Sequence, residues 1–185
     1  MLSGLIYQLS PRRRRFMRRL GRPALAPLVA RLASAGSPAA ISFCSTMLHA
    51  NAEYLTYAIS SPDGALFRFA DRATAAQVEV CLAAMLIYSA AQFAREEMRR
   101  DDSQIIPLLA HVTGLELTQV MLRRDQLRKA PRSEEWMLYS WLIAALGGER
   151  PAHDAQLERA FAYGYLSYID QYRPALERAL AQLQS

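Results

Sequence analysis

The sequence predicts an all-α fold, an irregular bundle of about six or seven helices around one central apolar helix. Three observations predict it. Hydrophobic residues make up 52% of the 185-residue chain, and Ala and Leu supply most of them. These are strong helix formers, whereas the β-favouring Val and Thr are scarce. Apolar residues recur every three or four positions over long segments, the helical period. Finally, "VCLAAMLIYSAA", inside the uncharged stretch Val80 to Ala94, is apolar all round. A helix of that kind belongs in the middle of a bundle. At about 15 residues it is shorter than the ~20 needed to span a bilayer.

The elements follow in order. Met1 to Leu9 is short and apolar, and Ser10-Pro11 breaks it. "SPRRRRFMRRLGRP", Ser10 to Pro23, holds seven arginines and no acid, with Gly21 and Pro23 read as the punctuation that ends it. "ALAPLVARLASA" follows, and Gly36-Ser37-Pro38 is a turn opening the next helix. Residues 1–37 are therefore read as a basic N-terminal arm or short helices, and 38–185 as the bundle domain. From Ala39 to Ser60 the stripe Ile41, Cys44, Leu48, Ala52, Leu55, Ile59 is helical. The segment 54–70 also alternates like a short β-hairpin about Ser61-Pro62-Asp63-Gly64. The helix is preferred, because its stripe starts upstream and keeps phase.

Asp71 is expected to cap the central helix, which runs to about Arg100. Ser103 is expected to cap a short helix broken near Pro107. Another helix spans Leu115 to Lys129. Ser133 with Glu134 and Glu135 marks the start of the next, and Gly147-Gly148 its end. Pro151 is expected to open the last helix, with the stripe Leu157, Phe161, Tyr165, Tyr168, Tyr172 and a kink or restart at Pro174.

Charge is unevenly spread. Met1 to Ala52 carries eight arginines and no Asp or Glu. Glu53 to Ser185 carries 14 basic and 17 acidic residues. Basicity thus belongs to one end of a near-neutral body. Lys129 is the only lysine. The two cysteines, Cys44 and Cys81, lie in apolar stretches and read as buried free thiols rather than a secreted disulfide framework. An intracellular chain is expected: mitochondrial if eukaryotic, cytoplasmic or at the inner-membrane face if bacterial.

Catalytic and metal signatures are missing from the sequence. No Glu-x-x-His, Cys-x-x-Cys, Gly-x-Ser-x-Gly or Gly-rich phosphate loop occurs. His49 and Glu53 share a helix face, as do Asp154 and Glu158, but zinc would need a third ligand. The paired acids Glu96-Glu97, Asp101-Asp102 and Glu134-Glu135 read as solvated or helix-start charge. No catalytic residue, metal or cofactor is assigned.

The candidate contact residues are Arg12, Arg13, Arg14, Arg15, Arg18, Arg19 and Arg22, joined by a second basic cluster, Arg123, Arg124, Arg128, Lys129 and Arg132. The dull reading of that cluster is helix C-terminus stabilisation; the other is extension of the first patch. Phe16 is an interface candidate within the tract. Tyr163, off the stripe of the last helix, is another, although helical aromatics are ordinarily core.

Four readings of the arginine tract compete. "RRRFMR" looks like a twin-arginine export motif, and the acid-free, arginine-rich end looks like a mitochondrial presequence. Against the export motif, Arg22, Pro27 and Arg31 interrupt the apolar region that should follow, and retention of the segment is expected. Nucleic-acid binding would use the arginines against phosphates, but no nucleic-acid-binding motif accompanies them. Anionic-membrane contact would use Leu2, Leu5, Ile6, Leu9, Phe16 and Leu20 with the cations. Docking on an acidic protein partner is favoured, because arginine forms bidentate pairs with carboxylates. The expected function is a non-catalytic accessory or adaptor subunit. A nucleic-acid- or anionic-membrane-binding protein is the alternative, and a small helical enzyme with an unrecognised pocket the third.

Overall fold

The computed structural model describes residues 10–34, 38–98 and 105–184. Among them the chain is an all-α bundle, without a strand. The helices are α1 (Pro11–Phe16), α2 (Arg22–Ala33), α3 (Pro38–Ser60), α4 (Ala75–Met98), α5 (Ile106–Thr113), α6 (Leu117–Arg128), α7 (Glu134–Ala145) and α8 (Ala155–Gln184). A π turn (Met17–Gly21) links α1 to α2, and a 3₁₀ turn (Phe67–Phe69) lies between α3 and α4.

Ser10-Pro11 starts a helix, while Met1 to Leu9, the stretch it is expected to break, lies outside the described residues. The Ser10 hydroxyl accepts from the Arg13 amide, and Pro11 occupies the first turn, where its missing N–H costs nothing. Gly21 and Pro23 do not end the basic segment either. A proline inside an α-helix clashes with the carbonyl four residues back, here Arg19. The backbone widens to a π turn, with the Arg22 amide donating to the Met17 carbonyl, and the helix runs on.

α3 holds its phase to Ser60, so the hairpin reading of 54–70 fails. After it the chain folds back tightly: the Leu66 amide donates to the Ala58 carbonyl at 2.9 Å. Gly64 makes this possible, since a Cβ there would press into the carbonyls of Tyr57 and Ala58.

Asp71 is exposed and caps nothing. Thr74 caps α4: its hydroxyl accepts from the Gln77 amide, and the Gln77 side chain accepts from the Thr74 amide, a reciprocal box. α4 is the central helix. Every residue from Cys81 to Ala90 is buried, and α4 touches α2, α3, α5, α6, α7 and the π turn.

Pro107 sits in the first turn of α5 and opens that helix instead of breaking it; Ser103, the expected cap, lies outside the described residues. Glu116, reciprocally bonded with Gln119, caps α6. Ser133 caps α7 as expected, and Gly147, at φ 77°, ends it. α8 starts four residues later than expected. Asp154, not Pro151, supplies the start by accepting from the Gln156 and Leu157 amides. Pro174 lies inside α8 without ending it.

The α3–α8 contact is aromatic. Tyr54 meets Phe161, Tyr165 and Tyr168 edge-on at 5.7, 5.1 and 5.5 Å between centroids, a favoured geometry. A polar thread runs through it. The Tyr165 hydroxyl donates to Asn51 Oδ1 at 2.7 Å, Asn51 Nδ2 donates to Ser89 Oγ at 3.0 Å, and Ser89 donates to the Met85 carbonyl at 2.8 Å. All three side chains are buried, and the thread ties α8, α3 and α4 together. Cys44 and Cys81 lie on the neighbouring helices α3 and α4 as free buried thiols. Burial pushes both up to about 12.

Candidate docking surface

α1 presents its arginines in different directions, and their surroundings sort them. Arg13 turns inward. Its Nη2 meets Glu53 Oε1 at 2.6 Å, with side chains only 22% and 18% exposed. This pair fastens α1 to α3. Phe16, the expected interface residue, is 7% exposed and belongs to the core with Leu20. The helical period requires this, because Phe16 and Leu20 are four apart and share the buried face with Arg13. Arg14, Arg18 and Arg22 are exposed.

Arg12, Arg15 and Arg19 line one groove of about 290 Å³, whose apolar residues are Phe16, Leu20 and Phe67. Ser60, Ala70 and Asp71 complete it. The groove is built rather than merely charged. The Arg12 guanidinium lies 5.8 Å over the Phe67 ring, a cation–π contact. Arg19 Nη2 donates to the Ala70 carbonyl at 3.0 Å. Two of the three arginines are thus held in place. Each retains N–H donors, since a guanidinium carries five. Asp71, at the Arg19 end, is the one acid.

Sequence reasoning missed the far wall of this groove. Phe67, Ala70 and Asp71 come from the chain after α3, about fifty residues beyond the arginines. The alternation around "ALFRFA" marked the segment as apolar but suggested a strand. Nearby, Arg68 and Arg72 lie 5.0 and 4.8 Å from the centroid of the buried Phe69 ring.

The second basic cluster does not extend the first. Arg123 lies 5.9 Å over Trp141. Arg124, 13% exposed, pairs with Asp125 at 3.1 Å. Arg128 and Arg132 border a separate open cleft with Gln92, Glu134 and Glu135, and Lys129 is exposed just past the end of α6. The central helix separates the two clusters. α4 gives Val78 and Leu82 to the side of Phe16 and Met17. It gives Val80 and Ala84 to the side of Arg123 and Trp141. Positions two apart on a helix point about 200° around it, to opposite faces.

Tyr163 is 80% exposed, so it is a surface residue and not core. His49 stands edge-on to Tyr172 at 5.5 Å, while Glu53 is engaged by Arg13. His111 Nε2 lies 2.9 Å from the Arg31 carbonyl. His153 Nε2 lies 2.6 Å from Glu158 Oε2, and the Ser133 hydroxyl donates to Glu158 Oε1. The carboxylate sits between the serine and the histidine, which is not the Ser–His order that activates a nucleophile. The Ser133 hydrogen bond, then the His153 one, hold Glu158 below the usual carboxylate range. Among the described residues no group of three His, Cys, Asp or Glu is placed to hold a metal, and no helix is long and apolar enough to cross a membrane. Comparison of the chain with family models, curated proteins and solved structures yields no match.

Proposed function

We propose that the chain is a non-catalytic docking protein that receives an acidic segment of a protein partner in the groove of α1, as an accessory subunit would. The observation that carries this reading is the meeting of Arg12, Arg15 and Arg19 with Phe16, Leu20 and Phe67 in one groove. Cations over an apolar floor fit a peptide offering carboxylates beside a bulky apolar side chain. A polyanion such as nucleic acid needs phosphate neutralisation, which the outward Arg14, Arg18 and Arg22 would serve as well. The floor and the wall from Phe67 favour the peptide.

The test uses fluorescence anisotropy with three probes at several salt concentrations: a Glu-rich peptide containing Phe, a Glu-only peptide, and single-stranded DNA. Binding of the Phe-containing peptide should be strongest. Replacing Arg12, Arg15 and Arg19 together with Gln should abolish it, since each charge-assisted contact contributes about 1.5 kcal/mol or more, roughly tenfold in affinity. The matching replacement of Arg14, Arg18 and Arg22 should leave most of it. Tighter DNA binding, weakened equally by either set of replacements, would replace the docking reading with the nucleic-acid one.

A further inference from the structure

Asp71 holds nothing in its own fold. Thr74, not Asp71, caps α4. The Asp71 carboxylate is exposed and makes no hydrogen bond or ion pair with any described residue. Yet it lines the groove of Arg12, Arg15 and Arg19. Arg19 passes it by: its Nη2 donates to the carbonyl of Ala70, the residue before, at 3.0 Å. A carboxylate that shares a groove with three guanidiniums and pairs with none of them is open to a cation from outside.

The groove has two ends. Arg12 lies over Phe67 at one, and Arg19 meets Ala70, next to Asp71, at the other. Arg12 and Arg19 are seven residues apart, about 10 Å along a helix. An extended peptide covers that length in about three residues. Phe16, Leu20 and Phe67 supply the apolar lining. Charge complementarity therefore asks for an acid at the Arg12 and Arg15 end, a bulky apolar residue, and a base at the Asp71 end.

We propose that Asp71 determines specificity in this groove: among acidic segments of a partner protein it selects those carrying Lys or Arg about three residues from an acid. This deepens the docking reading and rests on it. Arg12, Arg15 and Arg19 supply the affinity for the acid. Asp71 fixes which way round the segment lies, because the reversed segment would set its base against Arg12 and its acid against Asp71, two repulsive contacts. The selection runs against the general field. The chain carries a net charge of +5, so unspecific attraction favours the peptide with the most carboxylates.

Fluorescence anisotropy with the full chain tests this at about 0.15 M salt, where long-range attraction is screened. The probes are labelled Glu-Glu-Phe-Ala-X peptides with blocked termini, X being Lys, Gln or Glu, and the same three in reversed order. In the order that binds more tightly, the Lys peptide should exceed the Gln peptide about two- to fivefold, and the Glu peptide should be weakest. That factor is the size of one exposed charge pair. Asp71→Asn should erase the preference for Lys. Asp71→Lys should reverse the series and make the Glu peptide the tightest. Thermal melts of both variants should match the parent.

The two possible failures are distinguishable. A Lys peptide that binds no better than the Glu peptide, with binding still abolished by Gln at Arg12, Arg15 and Arg19 together, overturns the role of Asp71 and leaves the docking reading standing. So does a Lys preference that survives Asp71→Asn. If no peptide binds in an arginine-dependent way, the docking reading falls and the role of Asp71 with it.

Discussion

Tyr165→Phe should destabilise the bundle out of proportion to the single oxygen it removes. The Tyr165 side chain is fully buried, and its hydroxyl donates to Asn51 Oδ1 at 2.7 Å. Phenylalanine fills the same volume, so no cavity opens, but Asn51 Oδ1 is left without its donor in a dry core. An orphaned buried acceptor costs about 1–3 kcal/mol. At this chain length that corresponds to about 2–12 °C in Tm. Asn51→Leu should cost no more than this, because the tyrosine hydroxyl loses its 2.7 Å acceptor but keeps the Met85 carbonyl at 3.5 Å, and Ser89 still donates to that carbonyl at 2.8 Å. The double variant leaves neither partner stranded. Its cost should fall well below the sum of the two, because replacing both ends of a buried hydrogen bond with apolar groups is nearly neutral. Urea denaturation followed by far-ultraviolet circular dichroism gives all four free energies. If Tyr165→Phe lies within about 0.5 kcal/mol of the parent, or if the two single costs simply add, the thread does not hold the three helices as argued.

Two further outcomes follow from buried or paired groups. Cys44 and Cys81, pushed up to about 12 by burial, should not react with a disulfide reagent at pH 8 until the chain is unfolded in urea; reaction of either in the native chain would place it nearer the surface. Glu158 is held below its ordinary range by Ser133 and then His153, so its contribution is present above the unfolded glutamate value of ~4.3 and is lost as pH falls through the folded value. The stability gap between the parent and Glu158→Gln should therefore narrow from pH 6 to pH 3, and a gap that does not change with pH would refute the pairing.

What was legible in the sequence is what needs no knowledge of distant neighbours. The apolar run of α4 identifies the centre of the bundle because no face of it can meet water, and Cys81 to Ala90 are buried throughout. Ser133 and Gly147 mark the ends of α7 through contacts within one turn. Errors arose where two local signals competed. Asp71 and Thr74 both suit a cap, and Thr74 wins because Gln77 stands three residues on to return the bond. Pro23 reads as a stop, yet a π turn absorbs it. The candidate groove was only half legible. The arginines announce themselves, but their sorting depends on Glu53, forty residues away, and on Phe67, farther still.

That sorting bears on what the charge asymmetry does. The acid-free end is tied to the body by its own arginines meeting the body's acids: Arg13 takes Glu53, and Arg31 takes Glu79 at 2.9 Å while donating to the Val112 carbonyl at 2.8 Å. Phe16, Leu20, Ala24, Leu28 and Leu32 meanwhile fill one buried stripe along α1, the π turn and α2. A loose basic arm would have to be ordered on binding, at about 1–2 kcal/mol per residue of backbone entropy. Here α1 is already clamped by an ion pair and by core side chains, so a ligand reaching Arg12, Arg15 and Arg19 meets them at fixed spacing. Preorganisation of that kind raises affinity without adding contacts. It also separates the two roles of the tract: substitution of Arg13 should loosen the clamp and lower stability, whereas substitution of Arg15, which is exposed and lines the groove, should leave folding intact and act on binding alone.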